Sequence, residues 1–170
     1  MIQHSPPKVK YFLHIPTIII LGDAMDEQIK IGERINELLL MKNIDNKTFA
    51  SAIGVNISTV SRWKSNSKYM RLNQIIKIVE YFNCSIEFLV GRTDKILDFQ
   101  PTECPPFYSH LINLLKIKGI SRNKINKETR IKSSHFVDWK NGAAPHILSL
   151  IELADYLGIT LDILVGREKL

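Results

Sequence analysis

Apolar residues return along this chain at the spacing of an α-helix. Ile31, Ile35, Leu38 and Leu39 stand at i, i+4, i+7 and i+8, which places them on one helical face. Shorter runs with the same period follow, and together they predict helices over 30–41, 46–53, 57–64, 72–82 and 86–90. Asp45, Asn56 and Ser85 stand immediately before three of these segments, where a side-chain oxygen can accept from an unpaired backbone N–H of the first turn. No segment beyond the first 24 residues alternates apolar and polar positions in the manner of a strand.

The pattern then occurs a second time. Phe107, Leu111, Leu114 and Leu115 repeat the opening spacing, and an offset of 76 carries Ile44, Ser58, Trp63 and Lys64 onto Ile120, Ser134, Trp139 and Lys140. Further on the offset is 75. It brings Leu72, Ile75, Ile76 and Phe82 onto Ile147, Leu150, Ile151 and Leu157, and Leu89-Val90-Gly91-Arg92 onto Leu164-Val165-Gly166-Arg167. The missing residue falls between two polar stretches, 65–71 and 141–146, where insertions and deletions do least damage. An internal duplication explains this register, with Ser121 and Thr160 as caps in the second copy.

This divides the chain into an N-terminal extension (1–28), a first domain (29–95), a linker (96–105) and a second domain (106–170). The linker carries Pro101 and Pro105 and is expected to be extended and loosely packed. Charge follows the same division. Of the net +6, residues 29–95 hold +5 and residues 105–170 hold +4, whereas residues 1–28 and 96–104 are slightly acidic. Two basic units suit an anionic partner such as nucleic acid, although many soluble domains of similar charge have none.

Within the extension, Lys8 and Lys10 precede an apolar stretch from Tyr11 to Leu21, an order that faintly imitates a signal peptide. His14 and Pro16 interrupt it, which argues against export. The other readings are a strand over 17–21 that pairs with another chain, a disordered arm, or a translated leader ahead of a natural start at Met25. No apolar run approaches the roughly 20 residues of a membrane span. Cys84 and Cys104 are expected to be reduced thiols in a cytoplasmic protein. The five histidines are scattered without metal spacing, and there is no Gly-rich phosphate loop. We therefore expect no enzyme, cofactor, metal or small-molecule ligand.

The second and third segments of the first copy form the most informative unit. From Asn46, apolar residues fall at the fourth, eighth, tenth, fifteenth and eighteenth places (Phe49, Ile53, Val55, Val60 and Trp63). The fifth is the small Ala50, where two helices can cross closely, and the ninth is Gly54, suited to a turn at positive φ. Five apolar contacts would lock the helix pair and leave the outer face of the second helix free to enter a groove.

These residues resemble the Cro/repressor-like (XRE) helix-turn-helix family, which includes lambdoid phage repressors. The likeness covers 30–94 well and 107–170 less well. It implies an all-α fold, two tandem five-helix lambda-repressor-like helix-turn-helix domains, and binding to double-stranded DNA as a transcriptional regulator. The third helix of each domain would be the recognition helix. Carried onto this chain, Asn46 would touch a phosphate and Ile57, Ser58 and Arg62 would face base edges, with Thr59 and Ser61 close by. Lys47, Asn56 and Lys64 complete the DNA-binding set, and Lys68 and Arg71 flank it. The chemistry fits: Arg62 can pair with guanine O6 and N7, Ser58 can donate or accept, and Ile57 can pack on a thymine methyl. Trp63, on the apolar face, belongs to the core.

The second copy departs from this pattern. Asn126 replaces the small Ala, Thr129 an apolar residue, Arg130 the turn glycine and Asp138 the arginine. Arg130 is expected in the left-handed region at some cost. Arg122, Lys132, Ser133, Ser134 and His135 form a second, weaker set of DNA-binding candidates. A ten-residue linker spans at most about 33–36 Å, close to the 34–36 Å between half-sites one helical turn apart. The chain can therefore act as a pseudo-dimer, or pair as a homodimer through its second copy. Repression is the favoured sense of regulation. The alternatives are an antitoxin-like or scaffolding protein that uses the fold for protein contacts, and a nonspecific DNA binder.

Overall fold

The computed structural model of the chain describes residues 29–65, 67–95 and 101–170, so the readings of residues 1–28 lie outside it. Among the described residues the regular structure is helical. It runs α1 (Ile31–Met41), α2 (Asn46–Ala52), α3 (Ile57–Ser65), a 3-10 turn (Ser67–Tyr69), α4 (Leu72–Phe82) and α5 (Ile86–Val90). After a gap come α6 (Phe107–Ile117), α7 (Arg122–Glu128), α8 (Ser133–Lys140), α9 (Ile147–Leu157) and α10 (Leu161–Val165). Each helix of the second set begins where the sequence offset places its counterpart, and only α8 ends a residue early. No helix among the described residues is long and apolar enough to cross a membrane.

The caps lie where the sequence places them. The side chains of Asp45, Ser85, Ser121 and Thr160 accept from the amides of Thr48, Phe88, Lys124 and Ile163. Each such cap is worth about 1 kcal/mol. For short helices of five to seven residues they matter, because a segment of that length does not hold its shape alone.

Packing supplies the rest. Ile31, Ile35, Phe49, Val60, Ile75 and Ile78 are buried in the first half, as are Leu111, Ile125, Leu150 and Leu164 in the second, and all belong to one continuous apolar cluster. Where α1 crosses α3, a Cβ on Gly32 would lie 2.2 Å from the carbonyl oxygen of Lys64, so only glycine permits this approach. The corresponding residue of the second half is Tyr108, and α6 cannot approach α8 in the same way.

The halves meet through paired contacts. The Leu72 amide donates to Pro145 O and the Ile147 amide to Met70 O, both at 2.9 Å, around an antiparallel bridge between Arg71 and His146. Nearby, the Ile86 amide donates to Asp162 Oδ2 (2.8 Å) and the Leu161 amide to Glu87 Oε1 (2.6 Å). Arg167 is buried beside Asp162 at 2.9 Å, and its guanidinium also donates to Cys84 O. A cleft of about 670 Å³ opens at this junction, and none of its lining residues comes from α2 or α3.

Two expectations are corrected here. The described part of the linker is docked rather than loose: the Thr102 amide and hydroxyl donate to Arg167 O and Gly166 O, and the Cys104 thiol to Val165 O. Arg71, expected to flank the DNA-binding set, is engaged at the junction, where its guanidinium donates to Ala144 O.

Candidate nucleic-acid interface

The α2–α3 pair is set by a tight turn. Gly54 adopts φ +66°, the left-handed conformation that a Cβ disfavours, and the Val55 amide returns to Ala50 O at 2.9 Å. Phe49, Ala50, Val60 and Trp63 are buried beneath the pair. This leaves Ile57, Ser58, Ser61 and Arg62 exposed together on the outer face of α3, with Thr59 half-buried beside them. The sequence-predicted reading residues thus share one accessible surface. Ile57 is 48% exposed and available for contact.

Hydrogen bonds hold much of this face in place. Asn56 Oδ1 accepts from the amide and from the hydroxyl of Ser58, both at 3.0 Å. With its proton so engaged, Ser58 presents lone pairs outward, which suits an amino group such as adenine N6 or cytosine N4. Ser61 likewise donates back to Ile57 O. Arg62 makes no ion pair among the described residues, so its guanidinium is available to a ligand. Lys47 is exposed on α2.

Lys64 has a different place from the one its charge suggests. It is half-buried, and its ammonium donates to Asn46 Oδ1 at 3.1 Å. This bond engages the Asn46 carbonyl, so Lys64 helps to hold Asn46 at the start of α2. Lys68 lies over the ring of Tyr69 at 5.6 Å.

The second set is altered more deeply. Arg130 does not adopt positive φ. Instead α7 ends in extended backbone at Thr129, whose hydroxyl donates to Ile125 O and accepts from the Ile131 amide, and the Arg130 amide donates to Glu152 Oε1. A side chain has taken over the work of the turn glycine. Three of the five candidates are committed internally. Lys132 Nζ donates to Asn126 O and Thr129 O, Ser133 Oγ accepts from Asn126 Nδ2, and His135 Nδ1 accepts from the Lys132 amide. Asn126 Oδ1 is buried without a partner. Ser134 is exposed, and exposed Arg122 reaches Tyr108 Oη at 3.5 Å. Val137 and Asp138, which were not among the candidates, are also exposed on α8.

Residues 34–95 match the family model of a Cro/C1-type helix-turn-helix DNA-binding domain. The match takes in α2, the turn, α3 and the helices that support them. No curated protein and no solved structure matches the chain.

Proposed function

We propose that the chain is a sequence-specific, non-enzymatic regulator of transcription that lays α3 in the major groove of double-stranded DNA. The observation that carries this reading is the exposed face of α3, with Ile57, Ser58, Ser61 and Arg62 outward and Val60 and Trp63 buried behind, inside the matched Cro/C1-type stretch. Arg62 supplies two parallel donors for guanine, Ser58 an acceptor and Ile57 an apolar patch for a thymine methyl. Asn46, oriented by Lys64, and Lys47 contact the flanking phosphates. Asn56 and Lys64 act mainly by holding these groups in position, and Thr59 lies beside them.

Residues 29–95 form the reading domain in this account, joined by 96–105 to a divergent copy of the same unit over 106–170, and the protein works in the cytoplasm. Repression is the sense of regulation that follows most simply, because a protein seated in the groove excludes others from the same DNA. Selection from a random duplex library at physiological salt tests the proposal. A defined motif is expected, and Arg62→Ala should weaken binding by about 1–3 kcal/mol while relaxing preference at one base pair. Binding with a steep salt dependence but no motif would mark a nonspecific binder, and no binding at all would leave a protein-interaction role.

A further inference from the structure

We infer that one chain serves as its own dimer, seating α3 and α8 on two unlike half-sites of a single duplex. This deepens the DNA-reading proposal and rests on it. Under the offset of 75, Leu72 and Pro145 correspond to Ile147 and Met70, and Ile86 and Asp162 to Leu161 and Glu87. The two bonds around the Arg71–His146 bridge therefore exchange donor and acceptor between equivalent positions, and so do the two at the starts of α5 and α10. Residue i bonds j′ while residue i′ bonds j. This is the signature of an isologous contact about a two-fold axis, here realised within one polypeptide. Arg71 and His146 are themselves equivalent positions and sit on that axis.

Three consequences follow. The self-complementary patch of each half is occupied by the other half, so a second chain cannot use it while the fold is intact. The axis that exchanges the halves also exchanges α3 with α8, and a two-fold protein places its reading helices on dyad-related segments of DNA. The base-reading surfaces nonetheless differ. Where α3 exposes Ile57, Ser58, Ser61 and Arg62, α8 exposes Ser133, Ser134, Val137 and Asp138.

The side chains give the second half a distinct share of the work. Arg122, Lys124, Lys127 and Arg130 are all exposed along α7 and its turn. They bind phosphate, which fixes register without reading sequence. Base contact is left to Ser134, to Val137 against a thymine methyl, and to Asp138 as acceptor from cytosine N4. The DNA site should therefore be symmetric in its backbone contacts and asymmetric in its base preferences.

The test uses the full chain and the motif recovered from a random duplex library. Hydroxyl-radical footprinting should show phosphate protection symmetric about a dyad over two half-sites, roughly one helical turn apart. Sedimentation should give one chain per duplex. Asp138→Ala should alter preference in the weaker half-site alone. The double variant Lys124→Ala with Lys127→Ala should leave the motif unchanged and flatten the slope of log affinity against log salt by about 2. A footprint confined to one half-site, or two chains on a palindrome, would overturn the inference while leaving DNA reading by α3 intact. Absence of any motif would remove both.

Discussion

At the scale of single residues, the proposed reading surface depends on groups that hold its side chains in place. Ser58 keeps its lone pairs free because Asn56 takes its proton, and Asn46 is held through its carbonyl by Lys64. Lys64→Ala is therefore expected to act through Asn46. Measured by fluorescence anisotropy, it and Asn46→Ala should each weaken all DNA sequences alike, and the double variant should lose clearly less than the sum of the two. Additive losses would mean that Lys64 contacts phosphate by itself. A second residue-scale effect concerns Asp162. Burial pushes its carboxyl up to about 6, against the pull of Arg167 and of the Glu87 and Ile86 amides. The folded value exceeds the ordinary 3.8, so folding takes up a proton between the two. The stability this group contributes is fully present below about 4 and is lost as pH rises through about 6. Asp162→Asn cannot titrate there. The Tm of the native chain relative to that variant should rise as pH falls from 7 to 4.5, whereas a constant difference would show that Asp162 does not titrate in this range.

Among the elements, the ones most legible in the sequence were those whose residues act locally. Helical spacing, the caps at Asp45, Ser85, Ser121 and Thr160 and the turn at Gly54 all depend on neighbours within four or five places along the chain. What depends on distant contacts was not readable. Gly32 is the clearest case: its signal, a glycine inside a helix where it costs about 1 kcal/mol, was present, but its cause lies in the carbonyl of Lys64 on another helix. Gly32→Ala should destabilise the fold by at least about 1–3 kcal/mol through overpacking, despite the better helix propensity of alanine. Urea unfolding would check this, and an unchanged or raised midpoint would contradict the close crossing. The turn after α7 failed for a related reason. Arg130 is read as a strained substitute for glycine only if the backbone path is kept, and Thr129 provides another path through its hydroxyl.

On the scale of the whole molecule, the register behind the proposed duplication was legible in two tryptophans and two Leu-Val-Gly-Arg segments. How the copies face one another was not, since the donor and acceptor pairs at the junction include backbone groups that carry no sequence signal. The docked linker was hidden likewise: proline content shows that a segment is extended, and says nothing of what it lies against. The proposed DNA contact rests on the face of α3, where Ile57, Ser58, Ser61 and Arg62 are exposed. The most direct test of that contact lies in the DNA. Replacing the contacted guanine by 7-deazaguanine removes its N7 acceptor while keeping Watson–Crick pairing. The native chain should then lose part of the roughly 1–3 kcal/mol that a bidentate pair with guanine is worth, and Arg62→Ala should bind both duplexes equally. Equal losses by the two proteins, or no loss by either, would contradict the placement of Arg62 in the major groove.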